Sequence, residues 1–328
     1  YIVSPSASGT STSSISGSGS DPSIPPVPIR QSGFYFLMQP RVASSTMASL
    51  SSRMARMVAQ RTYPSITPPN NQTVCASALA MVHAKRFKLR NVENSFLWTL
   101  VREPVDRMLS HFSHVAVSRQ GQDPTLAQLQ AQVRQEYGSY FRTLSVRRYV
   151  NPYRQDLWET YVQEILSFFN FVGVLERLEE SLAVLQLLLG LETQDMLYLT
   201  VRSSSLPGGA AYIPDDKTTT TSSSSSIADK QCIPLKHVEI TLAWKEYLHQ
   251  PFLFEEVFDA DVYLYKAMNA SLDATIASLG QDKVDRAVKR LQWAQEKVDA
   301  ACADSEQVVF PCSAEGQPQL TMDCMVAD

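Results

Sequence analysis

The stretch that decides the fold is Phe34-Tyr35-Phe36-Leu37-Met38-Gln39-Pro40-Arg41-Val42-Ala43-Ser44-Ser45-Thr46, in which an apolar run enters a turn rich in hydroxyl residues. Phe34–Met38 predicts a buried strand, and apolar residues at helical spacing predict a helix over Thr46–Gln60. Such a turn is a potential anion site, since unpaired backbone N–H groups and the helix dipole both face the ligand. The alternative is an ordinary helix cap made by the same Ser and Thr residues.

A second stretch of the same kind reads Phe96-Leu97-Trp98-Thr99-Leu100-Val101-Arg102-Glu103-Pro104-Val105-Asp106-Arg107-Met108-Leu109-Ser110-His111-Phe112. It predicts a strand over Phe96–Val101 and a helix from Pro104, because proline is favoured in the first turn of a helix. Arg102 and Ser110 offer a guanidinium and a hydroxyl that suit a phosphomonoester. The alternative is that Arg102 pairs with a neighbouring carboxylate, either Glu103 or Asp106. Two anion sites predict a ligand with two phosphate-like groups.

The rest of the chain continues the alternation of strands and helices, which predicts an α/β fold with a mostly parallel central sheet flanked by helices. From His237 to Ala303 the pattern is helical, with Gly280 as a break between the last two helices. The remaining predicted elements are helices over Thr125–Tyr137, Gln155–Phe168 and Leu178–Leu189, strands over Phe169–Val174 and Met196–Val201, and an element over Val74–Val82 that is a strand or a short helix.

Composition limits the class of protein. The chain of 328 residues is 44% hydrophobic, enough for one large α/β domain with appendages or for two small domains. Its net charge of −4 argues against broad binding of nucleic acid, and no apolar run is long enough to cross a bilayer. Because it begins at Tyr1 rather than Met, we expect a fragment, in which any upstream signal or anchor would not be seen. Residues 1–32 are predicted to be a disordered Ser/Gly/Pro-rich stem, and 217–227 a flexible Thr/Ser insertion.

The five cysteines predict disulfides rather than a metal site. No C-x-x-C pair is present and no nearby histidine completes a zinc-like set. Cys302, Cys312 and Cys324 crowd the C-terminal end, and a loop-rich tail tied by disulfides implies an oxidising compartment. The glycosylation sequons at Asn71 and Asn269 favour the same compartment. The alternative is unpaired thiols in a reducing cell.

The two loop stretches resemble the phosphosulfate-binding elements of the Golgi carbohydrate sulfotransferases, membrane-anchored enzymes that use 3′-phosphoadenosine-5′-phosphosulfate. The first element of that family resembles Pro-Lys-x-x-x-Ser-(Ser/Thr), matched here by Pro40–Thr46 with Arg41 in place of lysine. The second resembles Arg-(Asp/Glu)-Pro-x-x-Arg-x-x-Ser-x-(Phe/Tyr), matched by Arg102–Phe112. Phe171–Leu182 is similar to the strand, Glu-Arg pair and helix that follow in the family. The matches run in order over residues 34–205.

The resemblance implies a P-loop-like sulfotransferase fold over 33–303, with a helical C-terminal part and a cysteine-containing tail over 304–328. It implies in-line transfer of a sulfuryl group from 3′-phosphoadenosine-5′-phosphosulfate to a hydroxyl of a glycan or glycoconjugate, without a metal and without nucleic acid. It also implies a type II membrane glycoprotein of the Golgi lumen, in contact with the membrane only through the missing N-terminal anchor. Two alternatives remain: a catalytically impaired relative that binds nucleotide or glycan, and a sulfotransferase acting on a non-carbohydrate hydroxyl.

The resemblance also assigns residues to the co-substrate. Arg41 is implied to be catalytic, and Arg102 and Ser110 are implied to hold the 3′-phosphate. Arg202 lies in a segment similar to the loop that closes over the nucleotide. The 5′-phosphosulfate is implied to contact Arg41, Val42, Ala43, Ser44, Ser45 and Thr46.

The acceptor hydroxyl must lose a proton, so a general base is required. His83 is the first candidate, because it follows the Val74–Val82 segment where the related enzymes often carry a catalytic His or Glu. The alternatives are His111, beside Ser110, and a carboxylate such as Glu93 or Glu103.

The last two helices, Glu255–Leu279 and Gln281–Ala301, are expected to pack over the sheet or to shape the acceptor cleft. Their acidic residues are predicted to lie on solvated faces. These residues are Asp259, Asp261, Asp282 and Asp285.

Overall fold

A computed structural model describes most of the chain. The described residues are 31–44, 46–48, 50–51, 54, 79–82, 90–136, 139–147, 149–198, 210–212, 232–234 and 238–302. The predicted insertion over 217–227 and the predicted tail over 304–328 lie outside them, as does all of the predicted stem except its last two residues. Those two, Gln31 and Ser32, already belong to the first strand.

The described part of the chain contains a sheet of four parallel strands: β1 (Gln31–Leu37), β2 (Leu79–Val82), β3 (Arg90–Val101) and β4 (Phe171–Val174). Their order across the sheet is β2-β1-β3-β4. The predicted parallel sheet is therefore confirmed, and residues 79–82 of the ambiguous segment are strand. The strands read as continuous apolar runs because a parallel sheet is covered by helices on its faces.

The predicted helices are confirmed within a few residues of their ends, and the described residues between 44 and 54 are also helical. Gly280, with φ of 94°, separates the last two helices as predicted. Short 3-10 helices occur at Gln155–Leu157, Leu175–Arg177 and Thr193–Met196, and β5 (Ala210–Tyr212) pairs antiparallel with β6 (Cys232–Pro234). From residue 90 onward, the described α-helices are α1 (Pro104–Phe112), α2 (Leu126–Glu136), α3 (Tyr140–Leu144), α4 (Trp158–Phe168), α5 (Leu178–Leu189), α6 (Leu242–Leu248), α7 (Pro251–Leu253), α8 (Asp259–Leu279) and α9 (Gln281–Cys302), with π-helical turns at Ser113–Arg119 and Phe254–Phe258.

Two apolar clusters support this arrangement. The larger contains the sheet and the faces of α5 and α8 that pack against β4, and within it the rings of Phe36 and Trp98 lie 4.6 Å apart. Gly173 permits this packing, because a Cβ there would lie 2.7 Å from Leu100 Cδ2 and 2.9 Å from Ser181 Cβ. The smaller cluster joins α1 and α2 to α6, with Phe112 edge-on to Trp244.

The predicted strand at Met196–Val201 is wrong at its described end. Thr193–Met196 is a 3-10 helix begun by a capping box between Glu192 and Asp195. The next backbone groups bond to a side chain instead of a strand: Tyr198 N–H donates to Gln295 Oε1 (3.3 Å), and Gln295 Nε2 donates to the Tyr198 carbonyl (2.6 Å). Helix α9 therefore satisfies a backbone that the apolar pattern assigned to the sheet.

Candidate functional site

The strand order reverses between β1 and β3. The chain goes from β1 to β2 on one side of it, and then returns to place β3 on its other side. In open parallel sheets ligands bind in the crevice outside the carboxyl ends of the strands, at the point where the order reverses. Both predicted anion loops, Gln39–Ser44 and Arg102–Glu103, leave the sheet at this crevice.

The backbone of the first loop takes an unusual path. Arg41 and Ala43 both have left-handed conformations, with φ of 68° and 57°. Each such residue costs about 1–2 kcal/mol when it is not glycine, and strain of this kind clusters at ligand-binding sites. The loop is closed by Ser44 Oγ, which donates to the Gln39 carbonyl, and Met47 N–H bonds to the Ala43 carbonyl (3.0 Å) where the helix begins. The loop therefore delivers a helix N-terminus to the crevice.

The side chains of the first loop differ in what they can offer a ligand. Val42 is fully buried, so only its backbone is open to a binding role, and Thr46 is also buried. Arg41, Ala43 and Ser44 are half-buried at the crevice. Ser45 lies outside the described residues. Within the segment that the sequence predicts, the structure separates residues that present side chains from one that presents only backbone.

The second loop meets the first through Arg102. Its Nη1 lies 3.4 Å from the Arg41 carbonyl oxygen, which brings two predicted co-substrate residues together. Its backbone is held by Tyr140, whose hydroxyl accepts from Arg102 N–H (2.8 Å) and donates to the Arg102 carbonyl (3.1 Å). Among the described contacts, no ion pair joins Arg102 to Glu103 or Asp106, and no hydrogen bond joins it to Ser110.

Two carboxylates at the second loop, one within it and one from the end of β4, accept hydrogen bonds from backbone and hydroxyl donors. Glu103 caps α1 by accepting from Asp106 N–H (2.7 Å). Glu176, just after β4, accepts from Glu103 N–H (2.9 Å) and from the Tyr265 hydroxyl (2.9 Å). Burial raises the pKa of the Glu103 carboxyl, and burial together with Glu176 raises the pKa of Tyr265 to about 12. These contacts tie the end of β4 to the loop after β3.

The described candidates for the general base lie at different distances from the crevice. Glu93 stands near the start of β3, eight residues before Val101, which is roughly 26 Å at the rise of a strand. It therefore lies toward the opposite edge of the sheet from the crevice. His111 is in the last turn of α1, about 10 Å along the helix from Pro104. Glu103 is in the loop itself, and His83 lies outside the described residues, as does Arg202.

The sequence missed a buried polar cluster beneath the second loop. Asp261 was predicted on a solvated face, yet it is 1% exposed and lies 3.4 Å from Arg107 Nη1. This prediction is wrong because Asp261 shares a helix face with Leu264 and Met268, which are fully buried. That i, i+3, i+7 spacing was the signal available in the sequence.

A cavity of about 510 Å³ lies beside this cluster, between α3, α4 and the segment around α7. Trp158 and Tyr247 line the cavity as buried side chains, and Tyr153 and Phe252 line it as exposed ones. Ser139 also lines the cavity. Because it directly precedes Tyr140, which bonds to Arg102, it connects the cavity to the second loop.

Within the described ranges, no group of three His, Cys, Asp or Glu residues could hold a metal ion. No described helix combines the length and apolarity needed to span a membrane. Comparison of the chain with protein-family models, with curated proteins and with solved structures found no match.

Proposed function

We propose that this protein is a sulfotransferase that moves the sulfuryl group of 3′-phosphoadenosine-5′-phosphosulfate to a hydroxyl of a glycan. The observation that carries the proposal is the meeting of two loops at the reversal of strand order, where Arg102 Nη1 approaches the Arg41 carbonyl. Each loop carries an arginine, and each leads into a helix, so the crevice is suited to two anionic groups on one ligand.

In the proposed complex, the 5′-phosphosulfate occupies the first loop, among the Arg41 side chain and the backbone of residues 41–46. The Ser44 hydroxyl would exchange its bond to the Gln39 carbonyl for one to the ligand. The 3′-phosphate occupies the second loop beside Arg102, with Ser110 further along α1. A planar guanidinium suits the 3′-phosphate because it offers paired N–H donors to two phosphate oxygens.

The proposed reaction is an in-line displacement. The acceptor oxygen attacks sulfur while the bond from sulfur to the bridging phosphate oxygen breaks, and the leaving adenosine 3′,5′-bisphosphate takes the electron pair. The hydroxyl proton passes to a general base, for which His83 is the first candidate and Glu103 the alternative. Positioning and charge stabilisation supply most of the acceleration in transfers of this kind.

We propose the 510 Å³ cavity as the place of the acceptor. Its size lies in the range of small-molecule sites. The rings of Tyr153 and Phe252 are 72% and 63% exposed, and they offer faces on which a sugar can stack. Arg142 and Glu255 on its lining add hydrogen-bonding groups that suit sugar hydroxyls.

The proposed setting is the Golgi lumen, as for a type II membrane protein, with disulfides near the C-terminal end. If the chain is glycosylated, we expect Asn71 to be modified in preference to Asn269. Asn269 lies inside α8, where its Nδ2 donates to the Tyr265 carbonyl (3.2 Å), so a sugar on that nitrogen would disturb this bond.

The first test is calorimetric binding of adenosine 3′,5′-bisphosphate, followed by transfer of radioactive sulfate to a panel of glycans, tyrosine peptides and small alcohols. Binding with transfer to a glycan supports the proposal. Transfer only to another hydroxyl assigns the non-carbohydrate alternative. Folded protein that does not bind the nucleotide contradicts the proposal.

The remaining alternative, a catalytically impaired relative, is favoured by Arg41, which stands where the resembled family has lysine. Arginine is broader than lysine and less able to follow a leaving oxygen as a point charge. Nucleotide binding without transfer, together with a large gain of activity in Arg41→Lys, would assign this alternative.

A further inference from the structure

We infer that Tyr140 is a positioning residue for the anion site: its hydroxyl sets the direction of Arg102, and Asp261 holds Tyr140 in place. The inference rests on the proposed function, because it assumes that Arg102 binds the 3′-phosphate of the nucleotide. Tyr140 and Asp261 lie in helices α3 and α8, far in sequence from the loop they support.

Arg102 needs such support because it is the first residue beyond the sheet. The register of β3 with β4 ends at the pair Val101 and Val174, so the backbone groups of Arg102 have no strand partner. The Tyr140 hydroxyl bonds to both backbone groups of Arg102: it accepts from the N–H (2.8 Å) and donates to the carbonyl (3.1 Å). Fixing both peptide groups of a residue fixes the direction of its Cα–Cβ bond. The Arg102 side chain leaves the backbone in this fixed direction, and its Nη1 lies 3.4 Å from the Arg41 carbonyl oxygen.

Tyr140 is itself held on two sides. Asp261 Oδ1 accepts from Tyr140 N–H (2.8 Å) and from Ser139 Oγ (2.7 Å), and Asp261 Oδ2 faces Arg107 Nη1 (3.4 Å). The Arg107 guanidinium lies over the Tyr140 ring, 3.9 Å from its centroid. A buried carboxylate is tolerated only when it is paired and hydrogen-bonded. Here those bonds hold the residue whose hydroxyl reaches Arg102.

The neighbourhood contains groups of both signs. Besides the charges of Arg107 and Asp261, the charge of Glu176 and the hydrogen bond to the Arg102 backbone act on the Tyr140 hydroxyl, and burial raises its pKa well above the usual value. The hydroxyl therefore keeps its proton at physiological pH, which it needs in order to donate to the Arg102 carbonyl.

The test is calorimetric titration of adenosine 3′,5′-bisphosphate into wild type, Tyr140→Phe, Arg102→Ala and the double variant. Tyr140→Phe keeps the ring over Arg107 and removes only the hydroxyl. We expect it to weaken binding about tenfold, since two hydrogen bonds contribute on this scale. In the Arg102→Ala background the same change should have no further effect, a coupling that general destabilisation does not produce. Tyr161→Phe, at another buried tyrosine, should bind as wild type.

Asp261→Asn is a second variant, which keeps an oxygen for Ser139 and Tyr140 and removes the charge that faces Arg107. It should weaken nucleotide binding about two- to threefold through the same coupling with Arg102. Wild type that binds while both variants bind equally well overturns this inference and leaves the proposed function standing. Wild type that is folded and does not bind overturns both.

Discussion

The two loops at the crevice are built in opposite ways. The loop Gln39–Ser44 is closed by a bond between its own residues, from Ser44 to Gln39, and Arg41 and Ala43 take left-handed conformations in it. The loop after β3 has no left-handed residue and is held from outside, by Tyr140 and Glu176. The difference teaches that one anion loop depends on local backbone conformation, and the other on side chains brought by distant helices. Each dependence can be broken separately.

The largest expected effect is on the external support of the second loop. Asp261→Ala leaves Arg107 buried without its carboxylate, and loss of one partner of a buried pair costs about 3–5 kcal/mol. Urea unfolding measures this change in the free energy of unfolding. Asp282→Ala, at an exposed aspartate that the sequence placed in the same class, should cost less than about 1 kcal/mol. Equal small losses in both variants would contradict the role given to Asp261.

The next effect is on binding at the second loop. Arg102→Ala should weaken binding of adenosine 3′,5′-bisphosphate about thirtyfold or more, because bonds to charged groups contribute about 1.5–3 kcal/mol. Ser110→Ala should lower the affinity for the nucleotide only a few-fold, since a hydrogen bond from a neutral hydroxyl contributes less free energy of binding. Arg290→Ala removes an exposed charge on α9 and serves as the control. Titration calorimetry measures the affinities of all three variants. An unchanged affinity in Arg102→Ala would show that this loop does not bind the nucleotide.

A smaller effect of opposite sign is expected in the first loop. Ala43→Gly should stabilise the protein by roughly 0.5–1 kcal/mol, because glycine takes a φ of 57° without steric cost although it loses more backbone entropy. Ala48→Gly, in the helix that follows, should destabilise by about 1 kcal/mol. Thermal unfolding of the two variants compares them directly. Destabilisation by both would show that Ala43 is unstrained.

The smallest expected effect is a pH dependence of the stability contributed by Glu103 in the second loop. Burial raises the pKa of Glu103, so its contribution to stability is present below its unfolded pKa of about 4.3 and is lost as pH rises through its folded pKa. Relative to Glu103→Gln, wild type should lose stability as pH rises through this window. Glu164 gives the opposite sign, because its bonds with Arg147 lower its pKa and its contribution is lost as pH falls. Unfolding curves from pH 4 to 7 test both, and parallel curves for Glu103→Gln and wild type would contradict the first.

The fold was largely predictable where the chain is buried on both sides. Continuous apolar runs at Phe34–Met38 and Phe96–Val101 mark two of the central strands, because both faces of a parallel sheet are covered. The prediction was wrong at Met196, although its side chain is fully buried. An apolar pattern indicates that a segment is buried. It does not indicate whether the hydrogen bonds of the backbone are made with a strand or, as here, with the side chain of Gln295.

The candidate site was predictable to the same extent. Arg41 and Arg102 follow strands, so the sequence alone places both at the carboxyl edge of a parallel sheet. Their proximity was open until the strand order was known, since only the reversal between β1 and β3 makes these two loops neighbours. The burial of Asp261 was likewise indicated by its helical spacing, while its bonds to Ser139 and Tyr140 join residues more than a hundred positions apart.

The sequence by itself determined the central strands, most of the helices and the composition of the two loops, because these depend on neighbouring residues and on the periods of helix and strand. Only the tertiary structure decided that the loops meet, that Tyr140 holds Arg102, and that Asp261 and Arg107 are buried together. The reason is physical: those contacts link segments separated by long stretches of chain, and which segments meet is set by strand order and helix packing.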